Sequence, residues 1–163
     1  QMQRLALSIV LTSQGISFLH AGTEFMRSKK GVENSYESPD SINALDWNLL
    51  SKNREMYEYV KLLIQLRKGH PAFRLHTGEQ ISSLISFKGN LPGGGICYEI
   101  DGAKAGDSWK KIQLCFNNTG QTVQWTEREE WKTIIANNRE YNSAVPVRNM
   151  ELSPFSCGIY YQD

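Results

Sequence analysis

The residues best suited to chemistry in this chain are concentrated in one polar loop near its start. Five carboxylates lie between positions 24 and 46, and carboxylates at close range can act as general acid and general base. They are Glu24, Glu33, Glu37, Asp40 and Asp46. A working pair needs rigid support from the surrounding fold. The chemistry of this loop therefore depends on the elements that position it.

The loop follows a short apolar run at 16–21, ISFLHA, whose length and bulk predict a strand buried on both faces. The segment 22–47 has no helical or strand periodicity, and loops of this length in compact domains are usually functional or disordered. It carries Tyr36, Ile42 and Trp47, which is more apolar surface than a disordered linker has. We predict an ordered binding loop after a buried parallel strand.

The composition limits the class of protein. The chain has 163 residues, 40% of them hydrophobic, which is enough for one ordinary domain or two small ones. Its net charge of +1 gives no reason to expect nucleic acid or an anionic membrane as partner. The basic cluster Arg27, Lys29 and Lys30 is too short for a polybasic patch. No apolar run approaches the roughly 20 residues that span a bilayer.

The cysteines and histidines suggest structural roles. Cys97, Cys115 and Cys157 lie among apolar or aromatic neighbours, so we expect three buried and unreactive thiols. No pairing has the spacing of metal ligands, and we expect neither a metal nor a cofactor. His20 lies on the apolar run, where a core histidine is the simplest interpretation, and no Ser or Cys partner suggests a catalytic triad.

The hydrophobic pattern divides the chain into two parts. Residues 2–13 predict an amphipathic helix, and a second helix is expected to begin after Ser51 and to end at Gly69 and Pro71. After residue 76 the pattern changes to short β-rich runs separated by turn sequences. These runs are 81–87, 96–100, 110–116, 122–126, 131–135 and 155–161.

A single parallel strand cannot satisfy its own edges, so the first part is incomplete. We predict an α+β chain, in which residues 1–75 are an incomplete α/β helix–strand–helix segment and residues 76–163 an antiparallel β-sandwich. The chain begins at Gln1 without a leader, and we expect it to be a fragment of a longer protein. Because the strand is unpartnered, we also expect self-association or disorder around residues 1–50 unless other chains cover it.

Several segments carry a family resemblance. GISFLHAGTEF, RSKKGVENSYESPDSINALDW and LLIQLRKGHPAFRL resemble the type I pullulanases of glycoside hydrolase family 13. The later GDSWKKIQLCFNN and ELSPFSCGIYY are similar to strands of that family's all-β domain C. The resemblance implies that 1–75 is the end of a (β/α)8 (TIM) catalytic barrel and 76–163 is domain C. Thr23 departs from the pattern, because many relatives have a second acidic residue there; Glu24 is retained.

The resemblance implies hydrolysis of α-1,6-glucosidic bonds in pullulan, starch or glycogen fragments by a retaining mechanism. Such enzymes need two carboxylates about 5–5.5 Å apart. In this family the catalytic carboxylates follow the fourth, fifth and seventh barrel strands, which precede the matching segment. We therefore expect no catalytic residue in this chain, and no activity from it alone. The resemblance is compatible with a bacterial protein of the cytoplasm, of the periplasm or of the secreted fraction.

The same resemblance places the loop on the donor side of a glucan cleft, because loops after the strand ends line the active site of a barrel. Asp40 and Asn43 are the expected contacts to sugar hydroxyls. Tyr36 offers an aromatic face, and Asn34 and Arg27 offer hydrogen-bond donors. The partner implied is an α-glucan.

Each of these roles has a simpler alternative. Asp40 after Pro39 also fits an Asx-type turn. Trp47 is expected in the core rather than as a sugar platform, and Glu24 is expected in a structural ion pair with Arg27.

Two other functions remain open. One is a non-catalytic carbohydrate-binding β module, for which Trp109, Trp125 and Trp131 would supply an aromatic row, although the strand patterns around the last two favour core positions. The other is a fragment of an isoamylase or a branching enzyme. The sequence NSYESPDSIN favours the pullulanases.

Overall fold

Helices occupy the first part of the chain and strands the second. The computed structural model describes residues 1–163, apart from the side chains of Asn90 and Asn142. The α-helices are α1 (Met2–Thr12), α2 (Asp40–Asn43), α3 (Asn48–Lys52), α4 (Arg54–Gly69) and α5 (Gly78–Leu84), with short 3-10 turns at Thr23–Phe25 and Pro71–Phe73. The strands are β1 (Ile85–Asn90), β2 (Ile96–Asp101), β3 (Lys111–Asn117), β4 (Val123–Ala136), β5 (Arg139–Leu152) and β6 (Ser156–Gln162). The predicted α+β class is confirmed.

The six strands form one antiparallel sheet in the order β1-β2-β3-β6-β4-β5. Strand β4 pairs with β6 only through residues between Lys132 and Ile135, and its first part pairs with β5 alone. Bulges between Thr126 and Trp131 bend the hairpin. The part of the β4–β5 hairpin that does not pair with β6 then packs on the second face of the sheet, through one apolar cluster. The cluster comprises Leu91, Cys97, Cys115, Val123, Trp131, Met150, Leu152 and Tyr160. The predicted sandwich is thus built from one bent sheet.

The opposite face of the sheet packs against α1 and α4. Both helices carry apolar residues at helical spacing, and these side chains meet the sheet in a single core. The helices contribute Leu5, Leu7, Leu11, Met56, Tyr59, Val60, Leu63 and Leu66, and the sheet contributes Ile100, Ile112, Leu114, Phe116, Ile135, Cys157 and Ile159. Full burial of one such side chain stabilises a fold by about 1.5–3 kcal/mol. The division at residues 75 and 76 stays a prediction, and the two parts share this core.

A buried polar contact joins three elements inside that core. The Tyr59 hydroxyl on α4 lies 2.6 Å from Ser8 Oγ on α1 and 3.3 Å from Cys157 Sγ on β6. Burial raises the pKa of Tyr59 and that of the Cys157 thiol, so both stay protonated. Cys157 is the buried free thiol that the sequence predicted.

The other two cysteines contradict the expectation of three separate thiols. Cys97 and Cys115 lie directly opposite each other on β2 and β3, with Cα atoms 4.1 Å apart, and are joined as a disulfide. The physical reason is the antiparallel register, which aligns residues that are 18 positions apart in the chain. Their spacing in the sequence carries no such signal.

The predicted strand at 16–21 is wrong. In the part of the chain that the structure describes, this segment has no ladder partner, and Ile16 and Phe18 are 101% and 80% exposed. An apolar run becomes a strand only where a neighbour completes its hydrogen bonds, and the strands of this fold begin at Ile85, far along the chain. The run 16–21 therefore has the composition of a strand but pairs with no other strand among the described residues.

Three other boundaries also differ from the prediction. Much of the run 81–87 lies in α5, because Thr77 and Gln80 form a capping box that starts a helix there. The runs 122–126 and 131–135 join into β4. Ser51 lies inside α3 and does not cap α4, which begins after Asn53.

Strand β5 was missed because it is largely polar and contains a proline. It lies at the edge of the sheet, where a missing N–H donor is tolerated.

Among the described helices, none is both long enough and apolar enough to cross a membrane.

Arg67 ties the end of α1 to α4 and so fixes where the loop-bearing segment begins. Its guanidinium donates hydrogen bonds to four carbonyls, those of Leu11, Ser13, Gly15 and Phe73, at 2.6–3.1 Å. Helix C-termini leave carbonyls without partners, and a cation is favoured there. Arg67 therefore stabilises the exit from α1.

We expect Arg67→Met to lower the free energy of unfolding by about 2 kcal/mol, because hydrogen bonds to a charged donor are worth roughly 1.5–3 kcal/mol. Denaturant unfolding followed by circular dichroism measures this change. Arg54→Met is the matched control: its exposed i,i+4 pair with Glu58 predicts a change below about 0.5 kcal/mol. Equal changes in the two variants would contradict the role of Arg67.

Candidate functional site

The loop begins at a turn that only glycine fits. Gly22 has φ +91, and a Cβ there would lie 2.8 Å from Arg27 Cβ and Cδ. Its carbonyl accepts the Arg27 N–H at 2.8 Å, and its own N–H donates to Glu24 Oε2 at 3.0 Å. The expected ion pair between Glu24 and Arg27 is wrong, since none joins them among the described side chains. Glu24 instead caps the turn.

Asn43 organises the rest of the loop. Its Nδ2 donates to the carbonyls of Ser35 at 2.8 Å and Ser38 at 2.7 Å, and its Oδ1 accepts from Lys29 Nζ at 2.5 Å. The Asn43 carbonyl accepts from the Arg27 guanidinium, which also reaches the Ala21 carbonyl at 3.2 Å. Asn43 and Arg27 therefore connect distant points of the loop. Both side chains thus make hydrogen bonds within the loop.

Three of the predicted site residues point into solvent instead. Asp40 is the first residue of α2 and is exposed, without a side-chain hydrogen bond in the described part of the chain. Tyr36 is 88% exposed. Asn34 is exposed as well, and its Oδ1 accepts the Tyr36 N–H at 3.3 Å. The loop thus brings all five predicted residues into one segment, with two holding it and three available to a ligand.

Trp47 lies outside the core, contrary to expectation. It is 66% exposed, and its ring packs on Phe25 with centroids 5.5 Å apart. Phe25 itself is buried, because the 3-10 turn at Thr23–Phe25 directs it inward against α4. The sequence pattern could not show which of these two aromatic residues is buried, since the 3-10 turn decides which of them points inward.

The tryptophans of the second part form no exposed row. Trp131 is buried in the sheet core, and Trp125 packs edge-on against Tyr160. Trp109 is stacked on both faces, by His70 at 3.5 Å and by Tyr161 at 4.3 Å between centroids. A sugar ring needs a free aromatic face. This observation disfavours the carbohydrate-binding module as the function.

Most of the loop carboxylates face solvent. No hydrogen bond joins two of the five in the part of the chain that is described, and Glu33, Glu37, Asp40 and Asp46 are exposed. No cluster of three His, Cys, Asp or Glu residues among the described ones is arranged to hold a metal ion. The loop offers an exposed phenol ring, an amide and a carboxylate. This set suits hydrogen bonding to a neutral, hydroxyl-rich ligand.

Comparison with known proteins identifies the class. No protein-family model matches the chain. The pullulanase of Bacillus subtilis strain 168 is 42% identical over 126 residues, which is 76% of this chain and 17% of that protein. The isoamylase of Pseudomonas amyloderamosa is 25% identical over 134 residues, again 76% of this chain and 17% of the relative. The chain is homologous to the debranching glycoside hydrolases, the pullulanases and isoamylases.

Solved structures give the same result at the level of the fold. The pullulanase from Bacillus acidopullulyticus matches with a TM-score of 0.90 and 29% identity, over 98% of this chain and 20% of that one. The pullulanase of Anoxybacillus sp. LM18-11 complexed with maltotetraose matches at 0.87 and 36% identity, over 99% and 23%. These similarities confirm the resemblance to the pullulanases. It spans about a fifth of the length of these relatives.

We expect Gly22→Ala to destabilise the chain more than Gly31→Ala, by at least about 1 kcal/mol. Both glycines have positive φ, at +91 and +80, so both variants carry the strain of roughly 1–3 kcal/mol for such a backbone. Only Gly22 lacks space for a methyl group, because Arg27 and Leu45 surround it. Denaturant unfolding and amide exchange at Arg27 measure the difference. Equal destabilisation would show that the close contact is unimportant.

Proposed function

We propose that this chain is the C-terminal part of a pullulanase-type enzyme that hydrolyses α-1,6-glucosidic bonds in pullulan, starch or glycogen fragments. The observation that supports this most strongly is the fold match to pullulanases over nearly the whole chain, together with 42% identity to one of them. In this proposal residues 1–75 complete the catalytic (β/α)8 barrel, and residues 76–163 form domain C. The parent enzyme is a retaining glycoside hydrolase.

The catalytic carboxylates lie outside this chain in our proposal. A retaining glycosidase needs a nucleophile and an acid–base residue about 5–5.5 Å apart on rigid supports. Four of the five loop carboxylates are exposed, and no hydrogen bond joins two of the five among the described side chains. This supports a chain that is inactive alone. Its part in catalysis is to supply one wall of the glucan cleft.

The loop residues divide into contacts and supports. Asp40, Tyr36 and Asn34 are the proposed glucan contacts, because their side chains are exposed. A carboxylate accepts hydrogen bonds from sugar hydroxyls, and a phenol ring packs against the apolar face of a glucose ring. Asn43 and Arg27 act on the substrate by holding the loop in shape. Several matching pullulanase structures are described as complexed with maltotriose or maltotetraose, which supports an α-glucan as partner.

The test compares three proteins on pullulan. We expect the intact parent enzyme to release reducing sugars, the chain alone to release none, and the parent with Asp40→Ala to lose roughly 10- to 100-fold in kcat/KM. That loss corresponds to one hydrogen bond to a charged group. The matched control is Glu37→Ala, an exposed loop carboxylate with no proposed contact. A parent enzyme without debranching activity would refute the function, and equal losses in both variants would refute the role of Asp40.

The exposed segment at 16–21 supports self-association of the isolated chain. Ile16 and Phe18 present large apolar side chains on a segment that pairs with no strand among the described residues, and such a segment is a template for pairing. In the parent enzyme, other barrel elements would cover this segment.

We expect the mean mass of the isolated chain in sedimentation to rise with concentration, because two copies can pair through this segment. The double variant Ile16→Ser, Phe18→Ser should remain monomeric at the same concentrations. Val145→Ser is the matched control, since Val145 is exposed as well, at 69%, but lies on β5, outside the segment 16–21. A wild-type chain that stays monomeric at all concentrations would contradict the proposal.

A further inference from the structure

Two cations lie side by side in the loop without a counter-ion. The Arg27 guanidinium and the Lys29 ammonium both donate to Asn43, to its carbonyl and to its Oδ1 respectively. Among the side chains that the structure describes, neither forms an ion pair. Some cations elsewhere in the chain do, as Lys88 does with Glu99 and Glu127. The loop has nearby carboxylates in its sequence, yet its fold directs none of them to these two groups.

The arrangement is unfavourable as it stands. Partial desolvation and then the neighbouring Arg27 charge lower the pKa of Lys29, since both disfavour its ammonium form. Arg27 Nε is buried and has no hydrogen-bond partner among the described atoms. Like charges at short range repel, and a buried donor without an acceptor is destabilising. Asn43 nevertheless holds both groups in place through two neutral acceptors.

We propose that Arg27 and Lys29 together form a binding point for a carboxylate, which is carried by the part of the parent enzyme that packs against this loop. The inference rests on the proposed function, because it requires a longer enzyme around the chain. A neutral glucan supplies no charge to balance two cations, whereas an Asp or Glu side chain does so with short, charge-assisted hydrogen bonds. The pair then anchors the loop to the rest of the catalytic domain.

The test is a comparison of Lys29→Met in two contexts. The variant loses its hydrogen bond to Asn43 in the isolated chain and in the parent enzyme alike. In the isolated chain it also relieves repulsion from Arg27, so its Tm should change little. In the parent enzyme the substitution removes the carboxylate contact as well. The fall in Tm caused by Lys29→Met should therefore be about 2 °C larger in the parent than in the isolated chain. Lys29→Arg should keep the parent's Tm near the wild-type value.

Lys30→Met is the matched control, because Lys30 is exposed and its side chain has no partner among the described residues. It should leave both Tm values unchanged. Equal shifts for Lys29→Met in the two contexts would overturn the proposal, as would a raised KM for pullulan with an unchanged Tm of the parent. Wild-type activity on pullulan, measured in the same preparations, reports separately on the proposed function.

Discussion

The contact between two amphipathic helices and one face of the sheet is the interaction on which the rest of this structure depends. Leu63 on α4 and Ile159 on β6 are fully buried in it, and the Tyr59 hydroxyl bridges three elements within it. Without the sheet, the apolar stripes of α1 and α4 would be covered only where the two helices pack against each other. The loop begins and ends on this scaffold.

The loop itself depends on a different kind of interaction. Apart from Phe25 it contributes little to the core, and its shape comes from hydrogen bonds centred on Asn43 and from the turn at Gly22. Such a segment has low local stability and is sensitive to its neighbours. Under the proposed function the same residues would border a cleft in a larger enzyme, whereas Trp47 and Tyr36 are exposed in this chain.

The elements with strong local signals were predicted well. Helices α1 and α4 show clear helical spacing, and β2, β3 and β6 are apolar runs between turn sequences. Two of the failures share one cause, which is dependence on distant partners. The run 16–21 lacked a neighbour to pair with, and β5 is a polar edge strand stabilised by β4. The capping box at Thr77 instead overrode a β-rich composition.

The sequence by itself determined the pullulanase resemblance, the α+β class and the loop that carries the candidate site, because these rest on residue types and short-range periodicity. Tertiary structure alone decided that Asn43 and Arg27 hold the loop while Asp40 and Tyr36 face solvent. It also decided that Cys97 meets Cys115 across two strands. Strand register and the direction of a side chain in a loop are set by contacts between residues far apart in the chain, and no local pattern records them.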